Sequence, residues 1–184
     1  LSRLTDDDSR RLLNYLMPLR DDVRDHVESL AKGNPLFLTQ VCRYLAEESL
    51  LEFNPDQGYW AVRPGVDLRT RVVPPTLSDL LLRRVKRLIA THPLGAVLKA
   101  LLCRAMLLGN RFEPKLLKTL LRKESRQDLE SYMDDAIEQL IRSGILTATV
   151  IQGQPGLEFS YNIMRTSLVD SEIITMVTIF CALL

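Results

Sequence analysis

The chain has 184 residues, enough for one sizeable domain or two small ones. Hydrophobic residues make up 46% and charged residues 26%, the balance of an ordinary soluble globular protein. A formal net charge of +1 supplies no global field for capturing nucleic acid or an acidic membrane, and neither is expected as a partner.

Helical patterns dominate, and the expected class is mainly α. Thr5 is placed to cap a first helix, with Asp6, Asp7 and Asp8 in its first turn, where carboxylates meet the positive end of the dipole. Leu12, Leu13, Tyr15, Leu16 and Met17 are its expected apolar face, and Pro18 ends it. A second helix over residues 22 to 32 carries Val23, Val27, Leu30 and Ala31 on one side. Gly33 stops it, because glycine adopts the left-handed C′ conformation without steric cost. Pro35 suits the first turn of a third helix, where its missing N–H is no loss. The corner Gly33-Asn34-Pro35-Leu36-Phe37 should therefore be rigid, with helix-start N–H groups facing outward where phosphate or a base edge could sit; Gly-x-Pro is also a common plain turn between helices, and on local sequence alone that reading comes first.

Residues 51 to 75 change character. Leu51 to Phe53 and Tyr59 to Val62 flank Asn54-Pro55-Asp56-Gln57-Gly58, which has the composition of a hairpin turn. Pro64-Gly65 and Pro74-Pro75 punctuate a linker. The expected division is a helical bundle at 1–50, hairpin and linker at 51–75, and a second domain at 76–184.

That second domain starts with Thr76 as a cap before Leu77, Leu80, Leu81, Val85, Leu88 and Ile89. A helix after Pro93 runs to Gly109. Another starts near Pro114, with Leu116, Leu117, Leu120 and Leu121 inward. The next spans Leu129, Tyr132, Met133, Ala136, Ile137, Leu140 and Ile141 and stops at Gly144. Strand-like runs at 145–151 and 157–161 follow, joined by a loop at 152–156. Three helices and then a hairpin is the order of a winged helix. A last helix is expected over about 163–183; its apolar end is about half a membrane span in length and reads as a truncated helix. Leu1 in place of methionine points to a fragment or a processed chain, and no signal peptide is visible.

Cys42, Cys103 and Cys181 lie far apart in apolar helical runs, the pattern of buried free thiols in a reducing, cytoplasmic setting. His26 and His92 have no partner at ligand spacing, so no metal is expected, and no serine or cysteine stands in a nucleophile motif.

Four motifs in order carry a resemblance. Leu30-Ala31-Lys32-Gly33-Asn34-Pro35-Leu36-Phe37-Leu38 resembles the lid signature of signal-transduction (STAND) ATPases, which are relatives of the AAA+ ATPases. Val73-Pro74-Pro75-Thr76-Leu77 through Arg84 and Leu88 is similar to the family's entry into its winged helix. Gln139-Leu140-Ile141-Arg142-Ser143-Gly144-Ile145-Leu146 is similar to the segment before the wing, and Phe159 to Thr166 to the segment after it. The resemblance spans about residues 4–170. It is nearest in tone to the ATPase regions beside class III adenylyl cyclase domains, as in soluble (type 10) adenylyl cyclases. It implies a helical lid followed by a winged helix. In this arrangement Gly33, Asn34, Pro35 and Leu36 would close over the adenine side of ATP or ADP held by an upstream P-loop core of the same chain.

Two departures stand out. Tyr161 occupies the place of the family's phosphate-sensing histidine and Thr166 that of its acid, with Arg165 the nearest cation. No G-x-x-x-x-G-K-[S/T] loop is present, so the groups that hold the β/γ-phosphates and magnesium would come from the missing core. The fragment alone is therefore not expected to hydrolyse ATP. Its implied role is regulatory: to report nucleotide state to an effector domain or protein partner, an adenylyl cyclase among the candidates.

Other readings remain. The run Arg83-Arg84-Lys86-Arg87, with Arg69 and Arg71, reads as a solvated helix face. The helix before the wing carries Asp128, Glu130, Asp134, Asp135 and Glu138, and residues 150–157 hold no Lys or Arg. Acid there repels phosphate, which makes DNA binding the weakest reading. A nucleotide-independent interaction module using that acidic helix and the wing is the alternative.

Overall fold

In the computed structural model, which describes residues 3–68, 73–123 and 127–170, the protein is mainly α-helical with two small antiparallel sheets. The chain divides into two compact units, Leu1–Leu81 and Leu82–Leu184. Arg69, Arg71, Arg126, Cys181 and the expected helix beyond Asp170 lie outside the described residues. Among the described residues no helix is long and apolar enough to cross a membrane.

The first unit is built on three helices and a hairpin. Helix α1 (Asp6–Leu16) is capped by Thr5, whose Oγ1 accepts the Asp8 N–H at 3.2 Å. Its inward face is narrower than the apolar pattern predicts. Ser9 and Leu13 are buried one turn apart, whereas Tyr15 is 88% exposed and Leu16 is also exposed. At 100° per residue, Tyr15 lies some 200° around the helix from Leu13, on the far side. Helix α2 (Asp21–Ala31) buries Val23, Val27 and Ala31 at a spacing of four. Helix α3 (Pro35–Glu47) buries Phe37, Leu38, Val41, Cys42 and Leu45, and both earlier helices pack on it. Leu13, Leu38 and Leu45 are fully buried, each contributing about 1.5–3 kcal/mol of transfer free energy.

Strands β1 (Leu51–Asn54) and β2 (Tyr59–Val62) form the expected hairpin. Asn54 Oδ1 accepts the Asp56 and Gln57 amides and shapes its turn. The hairpin is tied into the first unit: Trp60 N donates to Pro18 O at 2.7 Å, Arg20 N donates to Trp60 O at 2.9 Å, and Leu50 and Leu51 join the helical core.

The division between the units falls within helix α4 (Leu77–Thr91), which Thr76 caps: Thr76 Oγ1 accepts the Asp79 N–H and donates to the Asp79 carboxylate. After it come α5 (Gly95–Leu108), β3 (Arg111–Phe112), α6 (Pro114–Lys123), a 3-10 segment (Gln127–Tyr132), α7 (Met133–Arg142), β4 (Leu146–Ile151), β5 (Gln154–Phe159) and α8 (Asn162–Asp170). Gly95 is required by packing, since a Cβ there would lie 1.9 Å from the Ile89 carbonyl oxygen.

The second unit departs from the sequence reading in four places. The helix expected from Leu129 is split, and Tyr132 at the junction is 48% exposed. Leu116 is exposed instead of facing inward. The hairpin loop is two residues, not five: Gln152 (φ 49°) and Gly153 (φ 78°) join β4 to β5, and Pro155 sits inside the strand opposite Val150. Strand β3 is too short for any periodicity to reveal. It pairs with β5, giving the order β3-β5-β4, with Phe112 and Phe159 in tilted contact at 6.2 Å.

Candidate functional site

The α2–α3 corner is built from two consecutive left-handed residues. Lys32 (φ 48°) and Gly33 (φ 74°) turn the chain, and Asn34 N donates back to Ala31 O at 2.9 Å. Asn34 then caps α3, with Pro35 in the first turn. Asn34 Oδ1 accepts both the Leu36 and the Phe37 N–H at 3.1 Å, and Leu38 N donates to Asn34 O. This corrects the expectation of outward-facing donors. Proline removes one N–H and the Asn34 side chain occupies the next two, so the first turn offers no free backbone amides to a ligand.

Leu4 N donates to Gly33 O at 2.8 Å, and the Leu4 carbonyl oxygen lies 2.6 Å from where a Gly33 Cβ would be. The glycine is there for both its φ and the close passage of the chain before α1.

A recess of about 540 Å³ opens beside the corner. Asn34, Pro35 and Leu36 line it together with Leu30, Arg3 and Pro75, while Gly33 is not on its wall. Three of the four sequence candidates therefore meet at one cavity, and the fourth shapes it from behind. Leu30, Pro35, Leu36 and Pro75 give it an apolar surface, and exposed Arg3 and Lys32 stand at its edge with no carboxylate among the lining residues. An apolar surface with a cationic rim and a volume within the usual ligand range suits an anionic molecule with an apolar part. Any charge recognition here must come from the side chains of Arg3 and Lys32. Arg3 had no local signal: it lies outside the corner motif and reaches the recess only because Leu4 pairs with Gly33.

A second recess of about 590 Å³ in the first unit has the opposite character. Asp22, Asp25 and Asp67 line it beside Arg20 and half-buried His26. Arg20 Nε and one of its terminal nitrogens each reach the Asp22 carboxylate at 2.6 Å, and this pairing holds the Asp22 carboxyl below its ordinary pKa. His26 Nε2 is buried with no hydrogen-bond partner among the described residues. The excess of acid disfavours an anion.

Elsewhere the candidates resolve into structural roles. Arg83, Lys86 and Arg87 are exposed as expected, but Arg84 is buried, so the run is not wholly a solvated face. Arg165 donates its Nε to Met106 O at 3.0 Å, which ties α8 to α5. His92 is half-buried, and its Nδ1 accepts the Leu94 N–H at 3.1 Å. On α7, Asp134, Asp135 and Glu138 are exposed, and Glu138 pairs with Arg142 at 2.6 Å. Glu130 is held by Arg122 and Lys118 through charged hydrogen bonds that depress its carboxyl to about 2. Burial raises the Cys42 thiol to about 11 and also raises Cys103, the opposite of an activated nucleophile. Among the described residues no group of three His, Cys, Asp or Glu side chains could hold a metal. Comparison with protein-family models, with curated proteins and with solved structures finds no match.

Proposed function

We propose that the chain is the helical lid and winged-helix portion of a STAND-type ATPase, and that it closes on ATP or ADP held by an upstream P-loop core and passes the nucleotide state to an effector, such as an adenylyl cyclase. The observation that carries the reading is the recess where Asn34, Pro35 and Leu36 meet Arg3 and Lys32. Its apolar surface fits a purine and its rim fits negative charge. Support for the winged-helix part comes from element order. Helix α5, strand β3, helices α6 and α7 and the β4–β5 hairpin follow one another, with the first strand paired to the last. A winged helix has its elements and strands in this order, which supports the reading.

Magnesium and the phosphate-holding groups belong to the core in this proposal, and the present residues contribute base packing and a cationic edge. The test is ATP and ADP affinity, measured by calorimetry, in the longer protein that carries the P-loop. Pro35→Ala should weaken binding about three- to tenfold, the equivalent of roughly 1 kcal/mol of lost packing, and Gly33→Val should weaken it further. Unchanged affinity and unchanged switching in both variants would remove the reading.

The competing reading is a nucleotide-independent docking module. The outward carboxylates Asp134, Asp135 and Glu138 on α7 favour it and disfavour DNA in the same place. Charge reversal of Asp134 and Asp135 would abolish partner binding under this reading and leave nucleotide affinity untouched.

A further inference from the structure

The chain just before α1 has no helix or strand of its own, yet it bonds to the corner, and that bond is not needed to start α1. The cap of α1 is complete with Thr5 alone, through the Asp8 amide and the Thr5 hydroxyl bonded to the Asp8 carboxylate at 2.8 Å. Leu4 nonetheless pairs with Gly33, its side chain packs against the core of the first unit, and Arg3 forms part of the recess wall. The bond from Leu4 N to Gly33 O is one hydrogen bond between two half-buried residues at the margin of the core, the class of contact that opens locally without unfolding the unit.

From this we infer that Arg3 and Leu4 form a releasable strap: seated on Gly33, the strap completes the recess with a cation, and released, it removes that wall and leaves the corner open. The position of the chain ahead of α1 and occupancy of the recess are then linked, and each biases the other by the same factor. Gly33 is the seat. Any side chain there drives the Leu4 carbonyl away, because 2.6 Å from backbone oxygen to Cβ is closer than atoms can approach. Strap seating goes beyond the nucleotide proposal and needs no ligand, so the two can fail separately.

The experiment is amide hydrogen exchange by NMR on the full chain, reading Leu4 against Leu13, which is fully buried in α1. Gly33→Ala displaces the strap, while Gly58→Ala carries a matching backbone cost (φ +71° against +74°) with nothing within 4 Å of its Cβ. In the wild type Leu4 should exchange at least about tenfold faster than Leu13, by local opening. Gly33→Ala should lower Leu4 protection about tenfold or more with Leu13 still protected, and should shift the Leu36 and Phe37 amides; Gly58→Ala should do neither. Leu4 exchanging at the same rate as Leu13, or equal effects from the two glycine variants, would overturn the strap. Addition of millimolar ADP to the longer protein that carries the P-loop tests the link to the nucleotide proposal. Shifts at Leu36 with increased Leu4 protection support both readings, and shifts at Leu36 without change at Leu4 overturn the linkage. If ADP shifts nothing, the nucleotide reading fails and the strap stands or falls on the glycine pair.

Discussion

Substitution of Asn34 by alanine separates a capping role from a ligand-contacting one. Asn34 Oδ1 takes the Leu36 and Phe37 amides at 3.1 Å, and Pro35 has no N–H to contribute. Alanine therefore strands two donors at once. Phe37 is only 7% exposed, so water reaches its amide poorly and offers little compensation. Loss of an N-cap costs about 0.5–2 kcal/mol, and the buried Phe37 amide places this one near 1.5. For a unit of this size the urea m-value is about 1 kcal/mol/M, so the unfolding midpoint should fall by about 1.5 M. Trp60, the single tryptophan, lies in the first unit and reports its unfolding by fluorescence. Asn34→Ser and Asn34→Asp keep an acceptor and should stay within about 0.5 kcal/mol of wild type. An unchanged midpoint in Asn34→Ala would refute the capping argument and restore the amides as ligand donors. An equal loss in all three variants would show that Asn34 holds the corner by something other than its oxygen.

Two further outcomes probe the second unit. Gly95→Ala places a methyl 1.9 Å from the Ile89 carbonyl oxygen, and should cost about 2–3 kcal/mol in thermal unfolding followed by circular dichroism. Gly153→Ala, in a left-handed turn with open space around it, should cost about 1 kcal/mol, and the reverse ranking would contradict the packing at α5. Glu130→Gln tests the ion pairs to Arg122 and Lys118. Because the folded carboxyl sits at about 2 against an ordinary 4.5, its stabilisation is fully present above 4.5 and is lost as pH falls towards 2. Urea midpoints of wild type and variant should therefore differ at pH 7 and converge at low pH; a gap that does not change with pH would rule out the charge as its source.

The helices were legible because their signals are local. Thr5 and Thr76 each precede an acid three residues on, and both cap as the spacing predicts. Gly144 (φ 65°) ends α7 as expected, with Ile145 N donating to Leu140 O. Errors came where one pattern served two outcomes. Tyr15 is apolar and helical but lies on the wrong side of α1, and which side is inward depends on where α3 packs. Strand β3 is two residues long, and only its pairing with β5 makes it a strand.

The same division runs through the candidate site. Local sequence was sufficient for the corner itself, because a left-handed glycine, a capping asparagine and a first-turn proline each act within a few residues of where they stand. It also led to the wrong account of the backbone donors, since whether Asn34 points outward or folds back onto Leu36 and Phe37 is a matter of side-chain geometry. The recess, its cationic edge at Arg3 and the clash that keeps residue 33 a glycine were decided by tertiary structure alone. They depend on residues 3, 33 and 75 meeting in space, and no periodicity along the chain encodes contacts between segments so far apart in sequence.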